Sequence, residues 1–252
     1  MLVIISPAKK LDFDTKATVD SYTQCEYLET SKKLIKDLKS LKVQEIAKMM
    51  KLSKSLAELN FNRYQDFKTP FSLKNSKQAA FAFKGDTYIG LEFDSFTPDE
   101  IEYSQNHLRI LSGLYGILRP LDLIQPYRLE MGTKFGIGKS KNLYEVWQEK
   151  LTQDLNHELK ENKYLVNLAS KEYFSAVDFK NLEGKVITPI FKEKKNGEYK
   201  IISFNAKRAR GKMSQFIMKN KISKPEDLKS FNLDNYKYSE KMSKNDEFVF
   251  VR

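Results

Sequence analysis

Gly113, Gly116 and Pro120, with Arg109, Arg119 and Arg128, interrupt an otherwise apolar run between His107 and Gly132, HLRILSGLYGILRPLDLIQPYRLEMG. Helix interiors disfavour glycine and proline. Each glycine therefore marks a place that needs backbone freedom or close approach. Arginine forks pair with phosphate or carboxylate. The segment reads as an anion-facing site built on irregular backbone.

Three further constellations carry charge in informative places. Phe204–Met213, FNAKRARGKM, sets Lys207, Arg208, Arg210 and Lys212 at the start of a basic helix. Cations there oppose the helix dipole unless an anion is present; the alternative is a solvated surface run. Arg208 and Lys212 are four apart and share a face. Ser6–Lys10 follows an apolar strand, where α/β proteins place ligand groups. Lys9 reads as a phosphate contact or, if buried, as a lysine of lowered pKa for lyase chemistry. In Phe83–Tyr88, Lys84 and Asp86 flank Gly85, and a tight turn explains that block equally well. Asn167–Ser170 ends a second buried strand, with Glu172 and Tyr173 beyond it, so these residues could line the same cleft.

Leu111–Gly116 also has the look of the glycine turn in helix-hairpin-helix elements, where N–H groups at a helix start face a phosphate. Its glycines are spaced GxxG rather than GxG, and Pro120 would end the second helix early. Gly136-Ile137-Gly138-Lys139 has the GxG spacing and leads towards a helix at Asn142. For both turns the alternative is that the glycines serve helix ends and packing.

Several chemistries find no support. Two histidines and one cysteine, far apart, lack the spacing of a zinc or metalloprotease site. No phosphate-binding Walker loop is present, and no cofactor is indicated. Neither His107 nor His157 has a visible link to Ser170, so a hydrolytic triad is not indicated. Cys25 has no second cysteine for a disulfide or a redox relay. No catalytic constellation emerges.

The elements that must position these residues follow from periodicity and caps. Leu2–Ser6 reads as a buried strand, too short for a signal peptide or a membrane span. Glu26–Leu41 and Lys54–Phe67 have helical spacing. Ala79–Phe83 reads as a short strand. Thr97-Pro98-Asp99-Glu100 is a capping box with proline at the first helical position, and the helix should run to about Leu111. Asn142–Leu159 is a helix with Leu143, Val146, Trp147, Leu151 and Leu155 on one face. Tyr164–Ala169 and Lys185–Phe191 are buried strands. Asn196-Gly197 marks a hairpin, Tyr199–Phe204 its return strand, Ala206–Met218 the basic helix, and Glu247–Val251 a closing strand.

The 252 residues are 40% apolar and 12% aromatic, enough for a sizeable core and against disorder. Net charge is +11, which favours an acidic partner, most simply nucleic acid. Between Lys192 and Lys212 eight basic residues face two acidic ones, so more than half of that excess sits in 21 residues.

Five blocks in order, ISPAKKLD, FKGDTYIGL, HLRILSGLYGILRPLDLIQPYRLEMG, NLAS-x-EY and FNAKRARGKM, resemble the YaaA family of bacterial peroxide-stress proteins. The resemblance covers nearly the whole chain. It implies a cytosolic protein of the hydrogen-peroxide response that limits damage from free iron and binds DNA through a basic cleft. The expectation is one α+β domain over residues 1–252. It is a mixed sheet flanked by helices, with a helix-hairpin-helix-like element. It binds double-stranded DNA as a monomer, away from membranes, with little sequence preference. The expected DNA contacts are Lys9, Lys84, Arg109, Gly113, Gly116, Arg119, Arg128, Lys207, Arg208, Arg210 and Lys212, converging on one concave face. The alternative is a lyase- or nuclease-like enzyme acting on nucleic acid or nucleotide in that cleft.

Overall fold

Leu2–Ile5 carries four apolar side chains, and all four are buried. A strand with no polar face belongs inside a sheet covered on both sides. The computed structural model, which describes all 252 residues, places it there. The first half of the chain forms β1 (Leu2–Ile5), α1 (Leu28–Ser40), α2 (Val43–Met50), α3 (Lys54–Asp66), β2 (Lys77–Gln78), α4 (Ala79–Ala82), α5 (Asp86–Leu91), α6 (Pro98–His107), β3 (Leu108–Ser112), β4 (Gly116–Leu118) and β5 (Leu123–Ile124). The second half forms α7 (Leu143–Asn162), β6 (Tyr164–Leu168), α8 (Lys171–Phe174), β7 (Lys185–Lys195), β8 (Glu198–Lys200), α9 (Ser203–Lys219), β9 (Lys237–Tyr238) and β10 (Glu247–Val251).

The main sheet has the order β4-β3-β1-β6-β7-β10-β9, with β8 paired to β7. Its inner strands β3, β1, β6, β7 and β10 are parallel, and β4, β8 and β9 are antiparallel. The sheet is therefore mixed, and helices flank it in one compact α+β domain. A single apolar core joins Met1 to Phe250, and α7 and α9 each pack on β1 and β6. β2 and β5 form a separate small ribbon. From β1 the chain reaches β3 on one side and β6 on the other, so the winding reverses at β1. The crevice beyond the strand C-termini at such a reversal is where sheets of this kind hold ligands.

Local signals place their elements well. Thr97 and Glu100 form the reciprocal cap, with Glu100 N–H donating to Thr97 Oγ1 at 3.3 Å and Thr97 N–H to Glu100 Oε2 at 2.8 Å. Asn142 caps α7, whose apolar stripe is buried. Asn196 and Gly197 both take positive φ and turn β7 into β8.

Other expectations are corrected. Ala79–Ala82 is a turn of helix, not a strand; a buried apolar run this short has no periodicity to tell the two apart. α6 stops at His107, and Leu108–Ser112 is β3 between β1 and β4. Leu111–Gly116 therefore joins two antiparallel strands, with Ser112 opposite Gly116, and is not a helix-hairpin-helix turn. The return strand β8 ends at Lys200, and α9 begins at Ser203. Lys207 and Arg210 thus lie beyond the first turn, where the end-of-helix dipole no longer acts.

Candidate functional site

The loop that leaves β1 is held from two sides. Ser170 N–H donates to Ser6 Oγ at 2.8 Å, and the Tyr88 hydroxyl donates to Ser6 O at 3.2 Å. Lys84 N–H donates to Lys10 O at 2.9 Å, which locks the Lys84–Gly85 turn alongside. Asp12 finishes the loop. Its carboxylate accepts from Asp14 N–H, Thr15 N–H and Lys84 Nζ, the last at 2.8 Å, and these bonds, Lys84 first, hold its pKa below the usual carboxylate range. Lys77, largely buried, donates to the carbonyls of Asp12 and Thr15.

A cavity of about 640 Å³ opens over this loop at the C-terminal ends of β1 and β6. Lys9 and Lys10 line it from the β1 loop, Lys84 and Asp86 from the start of α5, Glu130 from the β5–α7 connection, Ser170 from just past β6, Glu172 and Tyr173 from α8, and Lys207 and Arg210 from α9. Lys207 and Arg210 are three apart and share a helix face. α9 can sit this close because α5 crosses it at two glycines: a Cβ on Gly211 would lie 1.9 Å from Thr87 O, and one on Gly90 2.1 Å from Arg208 O.

Charges in the cavity are unequally engaged. Lys9 Nζ is 2.9 Å from Glu130 Oε2, and Arg128 Nη2 is 3.0 Å from Glu130 Oε1, so both oxygens of Glu130 are taken. Lys84 is held by Asp12. Lys207 and Arg210 have no carboxylate partner, and burial alone lowers the Arg210 pKa. Glu172 Oε1 accepts from Gly132 N–H at 2.9 Å, while its other oxygen makes no hydrogen bond. Burial pushes the Tyr173 phenol well up, and Tyr127, Glu172 and Glu130 add to this. Lys9 is 63% exposed, which removes the desolvation that a lyase lysine needs.

Of the residues expected on one face, Lys9, Lys84, Lys207 and Arg210 meet in the cavity, and Arg128 stands beside it through Glu130. The others do not. Arg109 is buried: its Nε donates to Glu158 at 2.9 Å and its Nη1 to the carbonyls of Gln105 and Leu108. Arg119 follows β4, antiparallel to β3, so it sits at the opposite end of the sheet and shares a separate cavity with Arg109, Asp122 and Glu158. Arg208 turns to Asp234, 3.7 Å away, and Lys212 to Glu92, 2.9 Å away.

The two turn glycines are architecture. A Cβ on Gly113 would lie 2.2 Å from Leu129 O, and one on Gly116 2.7 Å from the Trp147 ring. Gly116 also has φ +74°. Both are buried and no phosphate can reach them. Gly136 is likewise crowded by Ser140 O. The cavity residues that reasoning from sequence passed over are Lys10 and Glu130. Lys10 stood beside Lys9 in the quoted loop. Glu130 gave no signal, because its partners Lys9 and Arg128 come together only in the fold.

Cys25 is buried, and burial pushes its thiol up to about 12, so it does not supply a reactive thiolate. The side chains assemble no group of three or more His, Cys, Asp or Glu suited to a metal ion, and no helix is long and apolar enough to cross a membrane.

Fold and site together define a mixed-sheet protein with a charged cleft at the reversal point of its parallel strands. The chain belongs to the family described as Peroxide stress protein YaaA, whose profile matches residues 1–242. It is 50% identical over its whole length to a UPF0246 protein of Cellvibrio japonicus, covering 98% of that protein. It is 51% identical to one of Saccharophagus degradans and 47% to one of Teredinibacter turnerae, covering all of this chain and 99% of each relative.

Proposed function

We propose that this peroxide-stress protein works in the cytoplasm as a monomer that binds double-stranded DNA through the cleft, with little sequence preference, and so helps limit iron-dependent oxidative damage. The observation that carries this is convergence. Cations from three distant stretches, the β1 loop, the α5 start and α9, face one cavity, and three of them, Lys10, Lys207 and Arg210, lack any carboxylate partner. An unpaired guanidinium that is partly desolvated favours an anion strongly. Phosphate contacts carry affinity without base information, which gives sequence-tolerant, salt-sensitive binding.

Duplex affinity measured by fluorescence anisotropy across a salt series tests the reading. Each phosphate neutralised adds about 0.9 to the slope of log affinity against log salt. Arg210→Ala should weaken binding on every sequence and reduce that slope by about one. Arg119→Ala, at the other end of the sheet, should change neither. Equal losses from the two variants, or binding insensitive to salt, would remove the cleft from the account.

One observation favours a second reading, an enzyme on nucleic acid or nucleotide: Glu130 and Glu172 both line the cavity. Strand cleavage or nucleotide turnover by the purified chain, lost in Glu172→Gln, would establish it.

A further inference from the structure

Away from the cleft, β7 has two unlike faces. Ile187, Pro189 and Phe191 are buried, whereas Ile190 and Lys192 are half-buried and Lys194 is exposed. The helix that packs on β7 is α9, and it lies on the Phe191 side, where Asn205 Nδ2 donates to Glu193 Oε2 at 3.1 Å. The Tyr236 hydroxyl and Arg252 Nη2 donate to the other oxygen of Glu193, each at 2.9 Å. Strand register sets what stands on the opposite face, because residues paired in register share a face. Lys237 of β9 pairs with Val251 of β10, and Val251 pairs with Lys192, so the three form one row across the sheet. Two residues along, Lys194 pairs with Tyr199 of β8. Strand geometry puts the Cα atoms of Lys192 and Lys194 about 6.6 Å apart along β7, and that of Lys237 about 9.6 Å from Lys192 across the sheet. Glu193 is taken up on the far face, and Glu198 by Lys200 at 2.8 Å, so none of the three lysines has a carboxylate partner.

Three ammonium groups without partners, an exposed tyrosine ring and the apolar Ile190 and Val251 thus share one sheet face. The charge calls for a polyanion, and the ring selects among polyanions. Tyr199 is 39% exposed, and its Cβ stands about 4.5–5.5 Å from that of Lys194. A duplex keeps its base faces stacked inside and would use the lysines alone. An acidic peptide likewise brings charge without a flat ring beside it. An unpaired strand offers a base and a phosphate at every step, and sheet faces hold such strands by stacking bases on aromatic side chains between cationic contacts. We propose that the face of β7 and β8 turned away from α9 docks an unpaired nucleic-acid strand, with a base stacked on Tyr199 and phosphates on Lys194, Lys192 and Lys237. None of these residues lines the cleft. The assignment rests on the nucleic-acid reading of the protein for its class of partner, but it adds a second surface that is tested separately.

Fluorescence anisotropy with a labelled oligo-dT, which does not pair with itself, is the test, beside a labelled duplex. Tyr199→Ala should weaken oligo-dT binding about tenfold, and Tyr199→Phe should restore it, because one stacked base is lost in the first and kept in the second. Lys194→Gln should lower the slope of log oligo-dT affinity against log salt by about 0.7. Tyr199→Ala should leave duplex affinity unchanged, since paired bases do not reach the ring. A strand of equal length built from abasic sites should bind the wild type about tenfold more weakly than oligo-dT, a comparison that needs no variant. Oligo-dT binding that ignores both Tyr199→Ala and the loss of bases overturns the assignment, as does an equal loss of duplex and oligo-dT affinity in Tyr199→Ala. Polyglutamate competing as well as oligo-dT at equal charge makes the face a site for any polyanion and overturns it too. Duplex binding that Arg210→Ala weakens, with no oligo-dT binding, overturns this assignment and leaves the cleft reading standing. Oligo-dT binding with the expected losses, but duplex binding indifferent to Arg210→Ala, supports this face and removes the cleft. Thermal melting of each variant separates lost contacts from lost folding.

Discussion

Gly211→Ala puts a methyl group where the backbone of α5 already lies. Its Cβ would stand 1.9 Å from Thr87 O, and real Cβ atoms do not approach other atoms closer than 3.0 Å. The two helices must part by at least about 1 Å, in an interior that is close-packed and does not give freely. In an ordinary helix the same change recovers about 1 kcal/mol of propensity. Overpacking costs about 1–3 kcal/mol, and the upper end applies because the obstacle is a backbone carbonyl that no rotamer change can move. We expect a net loss of about 2 kcal/mol, or about 4–8 °C in Tm for a domain of this size. The cleft should feel it too, since α5 supplies Asp86 and Ile89 while α9 supplies Lys207 and Arg210. Urea midpoints with an unchanged denaturant slope give the stability term, and duplex affinity per folded molecule gives the functional one. A Gly211→Ala protein as stable as the wild type, or more stable, would refute the close crossing of α5 and α9.

Two further outcomes concern β4 and the turn that follows it. Gly116→Ala meets both the φ of +74° and the Trp147 ring at 2.7 Å, so it should lose about 2–3 kcal/mol of stability while affinity per folded molecule stays constant; intact stability with lost affinity would restore a phosphate-facing turn. Burial pushes the Asp122 carboxyl up to about 6, so the native state holds its proton more tightly than the unfolded chain does. Stability from this group is therefore present at low pH and falls as pH rises from about 4 to about 6, by up to about 3 kcal/mol. Asp122→Asn should remove that fall, read as urea midpoints across the pH range, and a slope kept by the variant would show that another group titrates there.

Elements whose signals lie within a few residues were legible in the sequence. The Thr97–Glu100 cap, the α7 stripe and the Asn196-Gly197 turn need only near neighbours, so the amino-acid order alone specifies them. Lys9 and Lys84 were legible for a related reason: one follows a strand and the other stands just before a helix, where side chains reach towards a crevice, whereas Lys207 and Arg210 stood out by their charge run and lie beyond the first turn of α9. The His107–Gly132 segment misled. Its apolar residues suit a buried strand or a buried helix equally well, and its glycines look alike whether they face a phosphate or a tryptophan. What settled them was the opposing surface, Leu129 O for Gly113 and Trp147 for Gly116.

The sequence by itself thus determined the local elements, the charge excess and the loops able to carry a site. The tertiary structure decided which charges are free. Arg109 finds Glu158, Arg208 finds Asp234, Lys212 finds Glu92 and Lys84 finds Asp12, each across a long stretch of chain. Arg210 and Lys207 find no such partner. Those pairings depend on the order in which parallel strands are laid down about β1, because that order chooses which helix and which loop face each other across the sheet. No local signal encodes it: a side chain's own neighbours fix where it points, but only the packed fold fixes what it meets.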